Sequence, residues 1–266
     1  MSIDVNHSTL DELNFPAIVY KYRDWNHRYH KRFIDEREVF MAAPSDFEDD
    51  KDCKIPTRYD LLTKKQIFAW AMRLSEIKNP NFNRDQRRKD ARDWIKKKMF
   101  KNKKFLEEHH DYYSQEHNLR RGVLSLTEEP CLEEMWNKYA NKSEGFCIGY
   151  NSRIMFEYLG GGGKVIYHDV LPIIFPEPIM EHLKMHALQL YSKEMKWEFE
   201  KEYRTHKFWP APATIGDRQI QLPKEAFNKI ILGKNISQKN RNEIIMSVKN
   251  NIGDIPIFDE ADFCVT

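Results

Sequence analysis

No stretch of this chain approaches the roughly twenty uncharged apolar residues that a membrane-spanning helix needs, which argues against a membrane protein. The opening Met1-Ser-Ile-Asp-Val-Asn-His7 lacks a basic segment followed by an apolar one, so no secretory signal is expected and a cytoplasmic location is. Cysteine is sparse. Cys53, Cys131, Cys147 and Cys264 show no C-x-x-C spacing, which predicts buried free thiols rather than a disulfide framework or a structural zinc site. A phosphate loop is also missing: in Gly160-Gly-Gly-Gly-Lys164 position 158 is Tyr and position 165 is Val, so the segment reads as a hairpin turn. His182 and His186 stand four apart, but with no H-E-x-x-H and no third ligand nearby, no metal is expected.

Aromatic residues are plentiful at 13%, and charged residues reach 32%, a balance that excludes a disordered chain. With 266 residues the chain can bury a substantial core, and it is expected to form a single main domain over 1–266 with a helical insertion at about 60–120. The net charge of +2 conceals segregation. Residues 46–52 carry Asp46, Glu48, Asp49, Asp50 and Asp52, whereas residues 84–104 carry eleven Lys or Arg against three Asp.

Residues 17–23 begin β-branched and then alternate, which predicts a strand. Thr63 with Gln66 forms a capping-box start for a helix with Ile67, Phe68, Ala71, Leu74 and Ile77 at helical spacing, ended by Asn79-Pro80. Residues 84–117 read as one or two charged helices. From Gly122 the chain alternates: strands at 123–127, 145–150, 165–167, 229–232 and 255–258, with helices at 131–140, 179–192 and 237–248. The class is therefore α+β.

The segment Trp197-Glu-Phe-Glu-Lys-Glu-Tyr-Arg204 has the two-residue period of a strand, which would put Glu198, Glu200, Glu202 and Arg204 on one face. Carboxylates so close raise the pKa of at least one of them unless a cation intervenes. A solvated edge strand, or a helix with a Glu200 to Arg204 pair, is the plainer alternative.

Trp197-x-x-Glu200-x-Glu202-x-Arg204, preceded by Lys193, resembles the signature of the bacterial domain-of-unknown-function 2971 family. Tyr20-Lys-Tyr-Arg23, Leu124-Ser-Leu-Thr-Glu128, Trp136-x-x-Tyr139-Ala140, Glu144-Gly-Phe-Cys-Ile-Gly149 and Ile230-Ile-Leu-Gly233 agree with it in order; Phe47-Glu-Asp-Asp50 departs from the family's Asn-Asp-Pro. An Arg on the first strand, Ser-x-Thr on a middle one and Glu-x-Glu on a later one is in turn similar to the layout of ADP-ribosyltransferases. That resemblance implies a split β-sheet core with an inserted charged helical subdomain, NAD as substrate, and a bacterial defence or toxin setting. It assigns catalysis to Glu202 and Glu200. Arg23, Tyr22, Ser125, Thr127, Tyr139 and Arg204 become cofactor-binding candidates.

The basic run is a candidate phosphate-backbone footprint, with Arg87, Arg88, Arg92, Lys96, Lys97 and Lys98 as contact residues and Trp94 and Phe100 either stacking on bases or packing inward. An ordinary charged helix face is the alternative. Two further functions stay open: a metal-dependent nuclease using Asp169 with Glu194-x-Lys196, and a non-catalytic nucleic-acid-binding module.

Overall fold

The structure, a computed structural model, describes residues 10–12 and 14–265. Eleven strands are present in them: β1 (Ile18–Arg23), β2 (Glu38–Phe40), β3 (Arg121–Thr127), β4 (Phe146–Asn151), β5 (Gly163–Lys164), β6 (Ile166–His168), β7 (Ser192–Glu194), β8 (Glu202–Phe208), β9 (Gln219–Gln221), β10 (Phe227–Leu232) and β11 (Ile257–Asp259). Seven of them build one mixed sheet in the order β11-β10-β4-β1-β3-β8-β5, in which only β10 and β11 run parallel. The helices are α1 (Arg28–Asp35), α2 (Lys64–Lys78), α3 (Arg84–Lys97), α4 (Lys103–Arg120), α5 (Glu133–Tyr139), α6 (Ser152–Leu159), α7 (His182–Tyr191), α8 (Ile215–Arg218), α9 (Gln238–Asn251) and α10 (Glu260–Phe263). The class is α+β, as the sequence pattern implies.

The chain divides into two units. Of the described residues, the larger takes those from 10 to 46, Leu119–Tyr167 and those from Glu194 onward, and it holds the sheet. The smaller consists of Phe47–Asn118 and His168–Lys193, so the helices expected as an insertion at about 60–120 share their unit with a segment far away in sequence.

In the larger unit, strand alternation sorts side chains onto two faces. One face buries Val19, Leu124, Leu126, Phe146, Ile148 and Tyr203 against Phe33 and Ile34 of α1, Met155 and Phe156 of α6, and Ile244 and Val248 of α9. The other buries Tyr20, Tyr22, Cys147 and Ile231 against Met135, Trp136 and Ala140 around α5. Trp136 packs edge-on against Tyr22 at 5.1 Å between ring centres, and its indole N–H donates to the Pro130 carbonyl at 3.0 Å, so the polar end of a buried indole is satisfied. At Gly145, just before β4, the backbone passes so close to the end of β1 that a Cβ would lie 2.1 Å from the Arg23 carbonyl oxygen, which leaves room for glycine alone.

β1 and β3 meet through one residue pair, Tyr20 with Thr127. Beyond it the Lys21 Nζ donates to the Ser125 carbonyl oxygen at 2.5 Å, and a side chain occupies the acceptor that a ladder would use.

Two expectations are corrected here. Cys131 and Cys264 form a disulfide across 133 residues, with their Cα atoms 5.4 Å apart, while Cys53 and Cys147 are free and buried. The pairing has no sequence signature because the fold makes it: Cys131 lies just before α5 and Cys264 just after α10. Residues 197–204 are not one strand either. Met195–Glu200 is a 3-10 helix, Lys201 turns the chain in the left-handed region at φ 42°, and only from Glu202 does β8 run. Period two and period three coincide too closely over so few residues to be told apart, and the turn at Lys201 breaks the alternation between Glu200 and Glu202.

In the smaller unit the capping box is present: the Thr63 side chain accepts from the Gln66 backbone N–H while the Gln66 side chain accepts from the Thr63 backbone N–H. Its core gathers Leu62, Trp70, Ala71, Ala91 and Phe100, with Trp70 and Trp94 edge-on at 5.0 Å. Trp94 and Phe100 therefore pack inward. Ile77, expected on the apolar stripe of α2, is 65% exposed, because the buried face is rotated to Trp70 and Ala71.

Candidate functional site

Thr127 lies opposite both Tyr20 and Glu202, and Ser125 opposite Arg204, so register places Ser125, Thr127, Glu202 and Arg204 on the α5 face with Tyr20 and Tyr22. Tyr139 at the end of α5 donates its hydroxyl to Glu200 Oε1 at 2.8 Å, which ties the 3-10 helix to the same face. Seven of the eight candidate catalytic and cofactor residues, Tyr22 included, thus gather beside the single β1–β3 pair.

Arg23 does not join them. It follows Tyr22 on β1, so it projects to the opposite face, where its guanidinium lies over the Phe33 ring at 4.5 Å. Its Nε is buried without a partner, and burial pulls its pKa down to about 10. Its neighbour His30 falls to about 3, through burial first and the Arg23 charge second.

Glu202 and Arg204 form a bidentate pair, Nε to Oε1 at 2.6 Å and Nη2 to Oε2 at 2.8 Å. Both are buried, at 3% and 1% exposure. The positive charge expected to offset part of a row of carboxylates is instead committed to Glu202. Glu200, also buried, has Lys138 Nζ at 3.9 Å beside its Tyr139 bond, and Glu198 is exposed. Tyr22 is not placed to stack on a ligand: it is buried, donates its hydroxyl to the Glu129 carbonyl at 2.8 Å, and burial pushes its phenol far up. Thr127 Oγ1 accepts from the Glu129 backbone N–H at 3.1 Å and so shapes the turn after β3.

Two members of this cluster escaped sequence reasoning. Tyr167 accepts the Glu202 backbone N–H at 2.9 Å, and Lys138 lies over the Trp197 ring at 4.3 Å. Lys138 sits between Trp136 and Tyr139 within the motif, which was the one available signal; nothing marks Tyr167.

The smaller unit carries the cationic candidates. Steps of three and four place Arg84, Arg88, Arg92 and Lys96 along one side of α3, with Lys89 beside them. Arg84, Lys89, Arg92, Lys96, Lys97 and Lys98 are exposed, and among the described residues Arg84, Lys89, Arg92, Lys97 and Lys98 have no carboxylate within ion-pair distance. Arg88 and Lys96 pair along the helix with Asp85 and Asp93, each at 3.7 Å. Arg87 departs from the set: it lies 3.6 Å from Glu76 and donates to the Pro80 carbonyl at 3.1 Å, which makes it a tie to the end of α2. On α4 the cations pair along the helix, Lys103 with Glu107 and Lys104 with Glu108.

Of the nuclease candidates, Lys196 Nζ and Glu194 Oε2 pair at 2.8 Å; separately, Lys164 of the glycine turn pairs with Glu128 at 3.0 Å. Among the described residues no helix is long and apolar enough to cross a membrane. No family model, curated protein or solved structure matches this chain.

Proposed function

We propose that this chain binds nucleic acid through the exposed cations of α3 and of the turn that ends it. The observation that supports the reading is the set of exposed cations, Arg84, Lys89, Arg92 and Lys97 on the helix and Lys98 at its end, for which the described residues supply no carboxylate. Unneutralised cations repeated along a helix match the repeated charge of a phosphate backbone, and release of the counterions drives association. Trp94 and Phe100, the aromatic residues of the basic run, pack into the core of this unit, so the contact is one with phosphates and carries little sequence preference. Fluorescence anisotropy with labelled single-stranded RNA and DNA tests it. Replacing Arg92, Lys97 and Lys98 by Ala weakens binding at least tenfold, whereas Lys103→Ala with Lys104→Ala, which removes cations already paired on α4, changes it far less.

A second reading is an NAD-dependent ADP-ribosyltransferase-like enzyme, with a bacterial defence or toxin role drawn from resemblance alone. It is favoured by the gathering of Ser125, Thr127, Tyr139, Glu200, Glu202 and Arg204 where the sheet is joined by one residue pair. Loss of nicotinamide leaves an oxocarbenium-like ribose, which a carboxylate stabilises. In this reading Glu200, bonded to a neutral phenol, does so, and the Glu202–Arg204 pair fixes the strand beside it. Nicotinamide release from labelled NAD, absent in Glu200→Gln and present in the wild type, supports it; no release from the wild type, with or without nucleic acid, removes it.

A further inference from the structure

The smaller unit contains a cavity of about 700 Å³ lined by His109, His110, His117, His182 and His186. Two of these histidines are arranged for more than packing. His182 and His186 are one turn apart on α7, and their Nε2 atoms approach to 2.8 Å, with the ring planes 77° apart. Two imidazole nitrogens bound to one tetrahedral ion sit roughly 3.3 Å apart, so a shift of about half an ångström turns this pair into a chelate. The far side of one ring carries an independent sign: Glu177 Oε2 lies 3.6 Å from His182 Nδ1. At that distance the carboxylate does not hydrogen-bond the ring, but its charge lies on the Nδ1 side and favours the tautomer that carries its proton there, which leaves Nε2 as the ligand. His117, on α4, offers the next imidazole, with its ring centre 5.9 Å from that of His186.

We propose that His182 and His186 bind a divalent transition metal ion through Nε2, with zinc as the probe ion. Imidazole donors suit zinc, copper and nickel rather than magnesium or calcium. Among the described residues no three His, Cys, Asp or Glu side chains already converge on one point. The site is therefore open: two protein nitrogens hold the ion, His117 is the third imidazole within reach, and the remaining positions face the cavity for water or a ligand. This inference is independent of the nucleic-acid and NAD readings.

Isothermal titration of the chelator-treated full chain with zinc chloride, together with the visible spectrum on adding cobalt(II), tests it. The expected result is one ion per chain, with affinity at least tenfold weaker in His182→Ala and in His186→Ala. Unchanged circular dichroism and melting of the metal-free variants separate loss of the site from loss of the fold. Absence of zinc uptake by the wild type, or a His182→Ala/His186→Ala variant that binds zinc as the wild type does, overturns the proposal.

Discussion

Glu202 and Arg204 are two positions apart on one strand and share one face, and that spacing is what lets a guanidinium close on both carboxylate oxygens. Burial makes the pair costly to break and cheap to replace. Removing one partner leaves the other charge buried without its bidentate counterpart, at a cost of about 3–5 kcal/mol, whereas replacing both with apolar residues of similar volume is often near neutral. Arg204→Met is accordingly expected to lower stability to denaturant by about that amount, and Arg204→Met with Glu202→Met by clearly less. Urea unfolding of the two variants checks this; equal losses would mean that the pair is not the unit of stability here. The sequence showed that Glu202 and Arg204 share a face, because strand alternation fixes it. That Arg204 is spent on Glu202 could not be read, since one arginine near several carboxylates has several possible partners.

Among the elements, legibility followed local signals. The Thr63/Gln66 box identified the start of α2, and the alternation at 17–23 identified β1, because each depends on residues a few positions apart. The 3-10 helix Met195–Glu200 takes up the first half of the strand expected over Trp197–Arg204, since a few residues with alternating aromatics do not distinguish the two and the turn at Lys201 leaves no glycine or proline behind. The same limit applies to Arg23: alternation implied that it and Tyr22 face opposite ways, yet motif order grouped them. On α3 the charge count was visible, but which cations are paired was not. Arg87 is tied to Glu76 from another helix, so its loss is a matter of stability rather than of binding.

At the scale of the whole molecule, long-range pairings were beyond reach. The Cys131–Cys264 bridge closes 133 residues, and the segment His168–Lys193 shares a unit with residues more than fifty positions earlier, neither of which spacing can reveal. Thiol titration in denaturant is expected to give two reactive thiols per chain without reductant, from Cys53 and Cys147, and four after reduction. Four in both conditions would mean that the bridge is not formed. A bridge of this kind typically contributes about 2–5 kcal/mol, so reduction is also expected to lower the melting temperature.

The central claim is that the exposed cations of α3 and of the turn that ends it contact phosphates, and the dependence of binding on salt reads this out most directly. Each phosphate contact to a single strand adds about −0.7 to the slope of log K against log salt. Anisotropy titrations with single-stranded RNA from low to moderate salt are expected to give a steep slope for the wild type, and one shallower by about 2 for Arg92→Ala/Lys97→Ala/Lys98→Ala. The same slope for both proteins, or no binding by the wild type at low salt, would contradict the account.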